Sequence, residues 1–133
     1  MPGYRTWLRS MLLSVAIIAC WPAVALACRC TEPNLRDAYR QATGIVWGEI
    51  VSVRKESEYN AFYEVEVLKA WKLNAGQRIT IRSGGTCIFP VAAGDKYLLY
   101  LRPYTAGTYQ TSRCMGNKPE AAAARALKFL RRQ

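Results

Sequence analysis

The chain has 133 residues, 51% of them hydrophobic, with 19 Lys and Arg against 9 Asp and Glu and no His, giving a formal charge of +10 at neutral pH. The absence of His excludes Ser-His and Cys-His nucleophile systems and His-based general base catalysis, so no enzymatic activity is expected. A balance this basic favours acidic partners, whether polyanions, anionic surfaces or acidic proteins.

Residues 1–27 have the layout of a secretory signal. Arg5 and Arg9 form a positive start, residues 11–20 an apolar run, and Ala25-Leu26-Ala27 a small-residue cleavage site. The run is too short to span a bilayer, so no transmembrane segment is expected and the protein should be secreted or periplasmic. Cleavage after Ala27 removes 27 of 133 residues and leaves 106, enough for one small domain spanning residues 28–133. Without Arg5 and Arg9, 17 basic residues face 9 acidic ones, a charge of about +8.

Cleavage makes Cys28 the first residue of a Cys28-Arg29-Cys30 sequence, and Cys20 leaves with the signal. Cys28, Cys30, Cys87 and Cys114 remain, an even set that in an oxidising compartment reads as two disulfides. A Cys28–Cys30 bridge would close a one-residue loop with strained geometry, which leaves two cross-pairings open. Zinc ligation is the weaker reading, because structural sites usually space their cysteines more widely and often add His.

The predicted elements follow in chain order. Asn34 caps a short helix whose apolar stripe is Leu35, Ala38, Tyr39 and Ala42. Residues 44–54 form a long, bent strand with Ile45, Trp47, Val51 and Val53 on one face and Val46 and Ile50 on the other. Residues 55–58 are a polar link, and residues 59–71 a second strand with Tyr63, Val65 and Val67 inward. Residues 77–83 form a third strand, with Ile79 and Ile81 inward and Arg78, Thr80 and Arg82 outward.

A loop ends at Cys87, and residues 96–102 form a fourth strand, apolar on both faces and hence central. Residues 109–113 are a weak fifth strand delivering Cys114. Residues 119–132 form a closing helix begun by Asn117 or Pro119, with Ala123, Ala126, Leu127 and Leu130 as its apolar stripe. Arg125, Lys128, Arg131 and Arg132 fall on its wet side, where cations near the last turn suit the helix dipole. The predicted core comprises Ile45, Trp47, Val51, Val65, Val67, Ile79, Ile81, Leu99 and Leu101.

This arrangement resembles the tissue inhibitor of metalloproteinases family. The likeness rests on Cys28-Arg29-Cys30 at the mature N-terminus, the strand over residues 44–53, Gly94-Asp95-Lys96-Tyr97-Leu98, and Cys114 before a final helix. It implies a mainly β fold: a five-stranded, netrin-like OB barrel with a short N-terminal helix, a C-terminal helix and two disulfides, Cys28–Cys87 and Cys30–Cys114. It further implies an inhibitor of zinc metalloproteinases, in which the free α-amino group and carbonyl oxygen of Cys28 chelate the partner's catalytic zinc. Arg29 then enters the protease's primary pocket, and Cys30, Thr31, Glu32, Thr86, Cys87 and Ile88 complete the contact ridge. No metal or cofactor of its own is implied, and a monomer is expected.

The chain departs from the family in carrying Arg29 where animal members have a small hydroxyl residue, and in lacking the third disulfide and second domain. The alternative function is a noncatalytic exported OB-type module whose basic surface holds acidic polymers or proteins; nucleic acid is not the expected partner. A further alternative, lipid modification of Cys28, would consume the amine and thiol that the inhibitor needs.

Overall fold

The long first strand sets the architecture. In a computed structural model describing residues 28–74 and 76–133, β1 (Gly44–Ser57) runs antiparallel to both β2 (Asn60–Trp71) and β4 (Lys96–Thr105). The expected signal, residues 1–27, lies outside the described residues. β2 continues into β3 (Arg78–Gly84), β3 pairs in parallel with β5 (Thr108–Thr111), and β5 returns antiparallel to β4. The circuit β1-β2-β3-β5-β4-β1 closes a five-stranded barrel of OB topology. A two-residue β6 (Lys118–Pro119) adds to β4 outside that ring.

Three register shifts interrupt the β1–β2 ladder, and the first two give β1 its coil within the barrel. Gly48 pairs with Val67 while Trp47 pairs with Lys69, so Leu68 is an extra residue on β2. Ile50 pairs with Val65 while Ser52 pairs with Glu64, so Val51 is an extra residue on β1. Each inserted residue bends its strand and reverses the alternation beyond it. Gly48 sits at the first shift because a Cβ there would lie 2.5 Å from Val65 Cγ1 and 2.7 Å from the Glu66 carbonyl oxygen.

Strand pairing reverses the predicted face assignment over the first half of β1, before the bulge at Val51. Val46 and Ile50 point into the barrel with Tyr63, Val65, Ile79, Ile81, Leu99 and Leu101. Ile45 and the half-buried Trp47 instead lie outside the ring, under the helices. Val51, placed in the predicted core, is 39% exposed. Val67 packs half-buried against the barrel interior. The predicted polar link over residues 55–58 is mostly strand, because β1 and β2 continue as a hairpin to Ser57 and Asn60.

β4 is central, as its two apolar faces imply. Leu99 and Leu101 fill the barrel, while Leu98 and Tyr100 form a second apolar layer with Ile45, Ala38, Ala126 and Leu130. That layer seats α1 (Leu35–Gln41) and α2 (Ala124–Leu130), with Tyr39 and Phe129 meeting edge to face at 6.0 Å. Asn34 caps α1, its side chain accepting from the Asp37 N–H at 2.9 Å. At the other end Lys72, in the left-handed region at φ 64°, donates to the carbonyl oxygens of Tyr39 and Ala42. A cation there complements the helix dipole.

The closing helix is shorter than predicted. Residues 120–122 form a 3₁₀ turn, and α2 begins only at Ala124 with no side-chain cap. Asn117 is not a helix cap: it is buried, spanning β4, β5 and the turn Arg113–Met115. Among the described residues, no helix is long and apolar enough to cross a membrane.

Candidate functional site: the disulfide-fastened N-terminal ridge

Residues 28–34 form no regular element and are fixed by other means. Cys28 is bridged to Cys87 and Cys30 to Cys114, with Cα separations of 5.0 and 5.5 Å. The two bridges cross 59 and 84 residues of sequence, so in the chain-entropy model each removes about 4 kcal/mol of unfolded-state freedom. The bridges indicate an oxidising environment. Lys118 on β6 pairs with Glu32, holding the segment beyond the second bridge.

The loop carrying Cys87 has its own anchors in the barrel. Ser83, fully buried at the end of β3, accepts from the Phe89 N–H at 3.0 Å. The hydroxyl of Tyr63 donates to the Phe89 carbonyl oxygen at 2.6 Å. Burial of Tyr63 raises its pKa above the ordinary value, partly offset by a hydrogen bond with Ser83. Gly85 N–H donates to the Tyr59 carbonyl oxygen at the tip of the β1–β2 hairpin, and Arg113 N–H donates to the Cys87 carbonyl oxygen, both at 2.9 Å. Anchors on β2, on β3, at the β1–β2 hairpin tip and in the turn after β5 therefore position this loop.

The predicted site residues meet in part through covalent connection and in part through sequence adjacency. Cys28, Cys30, Cys87 and Cys114 are brought together, and their four sulfur atoms lie within 4.8 Å of one another. Arg29, Thr31 and Glu32 are exposed on the first segment, and Thr86 is exposed beside the half-buried Cys87 and Ile88 on the loop. The Cys28–Cys87 bridge joins those two segments directly.

A groove of about 370 Å³ adjoins the loop, lined by Thr86, Ile88, Pro90, Val53, Tyr59 and Arg113 among others. Sequence reasoning missed this groove. The bulge at Val51 turns Val53 onto the interior face, beyond the closed part of the barrel, where it forms groove wall at 38% exposure. It also missed Ser83, although a signal was available: Ser83 continues the inward alternation of Ile79 and Ile81, and an inward hydroxyl needs a partner.

No family model matches this chain, and no curated protein does.

Proposed function

We propose that the protein is an exported, stoichiometric inhibitor of zinc metalloproteinases, acting through the Cys28 amine and carbonyl after cleavage at Ala27–Cys28. The observation that carries this reading is the double fastening of Cys28-Arg29-Cys30, with both bridges in the pairing implied by the likeness to the tissue inhibitors of metalloproteinases. A neutral amine and a carbonyl oxygen make a compact bidentate donor set for a zinc ion with an open position. Held in advance, that donor set loses little ordering entropy on docking. Arg29 is free to extend, which favours a protease pocket with an acidic base. Thr86 and Ile88 extend the contact along the loop.

Three forms test it against a panel of zinc proteases: the chain beginning at Cys28, the same chain with one alanine added before Cys28, and the Arg29→Thr variant. The first should inhibit at least one protease. The alanine form should fold identically and lose inhibition, because its amine has become an amide and an extra residue occupies the metal's place. Arg29→Thr should shift preference toward neutral pockets. Equal inhibition by the extended form excludes the amine mechanism, and no inhibition by any form excludes the inhibitor.

One observation favours the second reading, a basic binding module. A transverse row crosses the outer wall of the barrel, in which Arg54 pairs with Phe62, Phe62 with Arg82, Arg82 with Gln110 and Gln110 with Arg102. Arg54 lies over the Phe62 ring at 5.1 Å and Arg82 over the Tyr104 ring at 4.9 Å. Asn60 accepts from Arg82 Nε at 2.8 Å, and Gly84 leaves room for the guanidinium, since a Cβ there would lie 2.5 Å from it. Glu56, within 3.3 Å of Arg54, offsets part of the charge. Salt-dependent retention on an immobilised polyanion, weakened by Arg82→Gln with Arg102→Gln, supports this module; retention unchanged by the pair rejects the row as its site.

A further inference from the structure

The two bridges are packed as one unit, since all four sulfur atoms of Cys28, Cys30, Cys87 and Cys114 lie within 4.8 Å of one another. A tetrahedral zinc tetrathiolate, with Zn–S bonds of about 2.3 Å, places its sulfurs roughly 3.8 Å apart. Converting one arrangement to the other requires the bonded sulfurs to separate, while the unbonded ones already lie within 4.8 Å.

Contacts other than the bridges hold these segments in place. The Arg113 N–H to Cys87 carbonyl bond joins the loop after β3 to the turn after β5. Ser112 accepts from the Cys114 N–H at 3.3 Å, and its own carbonyl oxygen accepts from the buried Asn117 side chain at 3.0 Å. The N-terminal segment is held downstream by the Lys118–Glu32 pair and by the capped α1. Four thiols released by reduction therefore remain gathered. Arg29 lies between two of them in sequence and Arg113 precedes a third, so two cations are carried on the same segments as a centre of charge −2.

We propose that the reduced chain binds one zinc ion, or another soft divalent ion, through the thiolates of Cys28, Cys30, Cys87 and Cys114. The disulfide pair and the metal are thus alternative fasteners of one scaffold, one for an oxidising and one for a reducing compartment. A phosphine or dithiol reductant supplies four electrons and the medium four protons, giving four thiols and the oxidised reductant. Zinc then displaces four protons to give a tetrathiolate of charge −2. Reoxidation by two molecules of a small disulfide, one per two-electron step, forms both S–S bonds, leaves four small thiols after uptake of four protons, and expels the ion.

The test uses the full chain carrying Cys20→Ser, so that a fifth thiol does not contribute, reduced by a phosphine and titrated anaerobically with Co(II) alone. Thiolate-to-cobalt charge-transfer absorption should grow to one ion per chain, be abolished by equimolar zinc, and be absent from the oxidised protein. Zinc should also raise the midpoint of the reduced chain's thermal transition. Cys30→Ser with Cys114→Ser should remove most of the absorption, and Cys114→Ser alone should weaken it, so the result does not depend on one variant. The proposal is overturned by no charge-transfer absorption, by one ion per two chains, or by full absorption in the double variant; a midpoint of the reduced chain that zinc leaves unchanged also overturns it. Inhibition is not measured here, so the outcome is independent of the proposed amine chelation.

Discussion

The side-chain oxygen of Asn117 accepts a hydrogen bond from the backbone N–H of Tyr100 at 2.7 Å, in the middle of the central strand. Its amide nitrogen donates to Thr111 Oγ1 at 2.8 Å and to the Ser112 carbonyl oxygen at 3.0 Å. One buried side chain thereby ties β4, the end of β5 and the turn that carries Cys114. Replacing Asn117 with Ala should cost about 2 to 4 kcal/mol, because the strand N–H loses its acceptor and the Thr111 hydroxyl and Ser112 carbonyl lose a donor. In urea the midpoint should fall with no change in slope. A loss below about 0.5 kcal/mol would show these groups finding other partners.

Tyr100 carries a second, opposite prediction. Its hydroxyl is buried with no hydrogen-bond partner among the described residues, and burial raises its pKa. Tyr100→Phe removes that desolvated group while keeping the ring, so stability should stay equal or rise by about 1 kcal/mol. The pH dependence has the same origin in Tyr100 and Tyr63, both of which hold their protons more tightly when folded. Their contribution is complete below the ordinary tyrosine value of about 10 and is lost as pH rises from there through the raised values. The alkaline decline in midpoint should be shallower in Tyr100→Phe.

Leu99 and Val51 form a matched pair for testing which face of β1 meets the core. Leu99 is fully buried inside the barrel, whereas Val51 is 39% exposed as the extra residue of β1. Leu99→Ala should cost about 2 to 5 kcal/mol through lost transfer energy and the cavity left behind. Val51→Ala should stay within about 0.5 kcal/mol, the range of ordinary surface sites. Equal costs would mean that Val51 lies on the core face of β1, as its sequence pattern predicted.

Peptide mapping of unreduced protein should recover Cys28 joined to Cys87 and Cys30 joined to Cys114. Thiol titration should find neither pair free. Exchanging Cys30 and Cys114 for Ala together should lower stability by about 4 kcal/mol while leaving the Cys28–Cys87 bridge in place. Recovery of Cys28 joined to Cys114 would overturn the pairing and the ridge built on it.

Much of this protein is legible in its residues. Alternation at Tyr63, Val65 and Val67 and at Ile79 and Ile81 marks two half-buried strands, and the two-faced apolarity of residues 97–101 marks the central one. Asn34 announces the first helix, and the even cysteine count announces two bridges. These signals are local: each depends on spacing within a few residues, or on composition alone.

What required the tertiary structure is whatever depends on an inserted residue or a distant partner. Nothing in residues 44–54 distinguishes Val51 from its β-branched neighbours. It becomes the bulge because β2 offers one residue fewer there, and that single insertion turns Val53 onto the face already held by Val46 and Ile50, where it meets the groove. Asn117 has the composition of a helix cap, and only the nearby Tyr100 N–H and Thr111 hydroxyl make it a buried cross-tie. Periodicity is written along the chain, whereas register and polar satisfaction are set across it, between segments whose mutual approach no local pattern encodes.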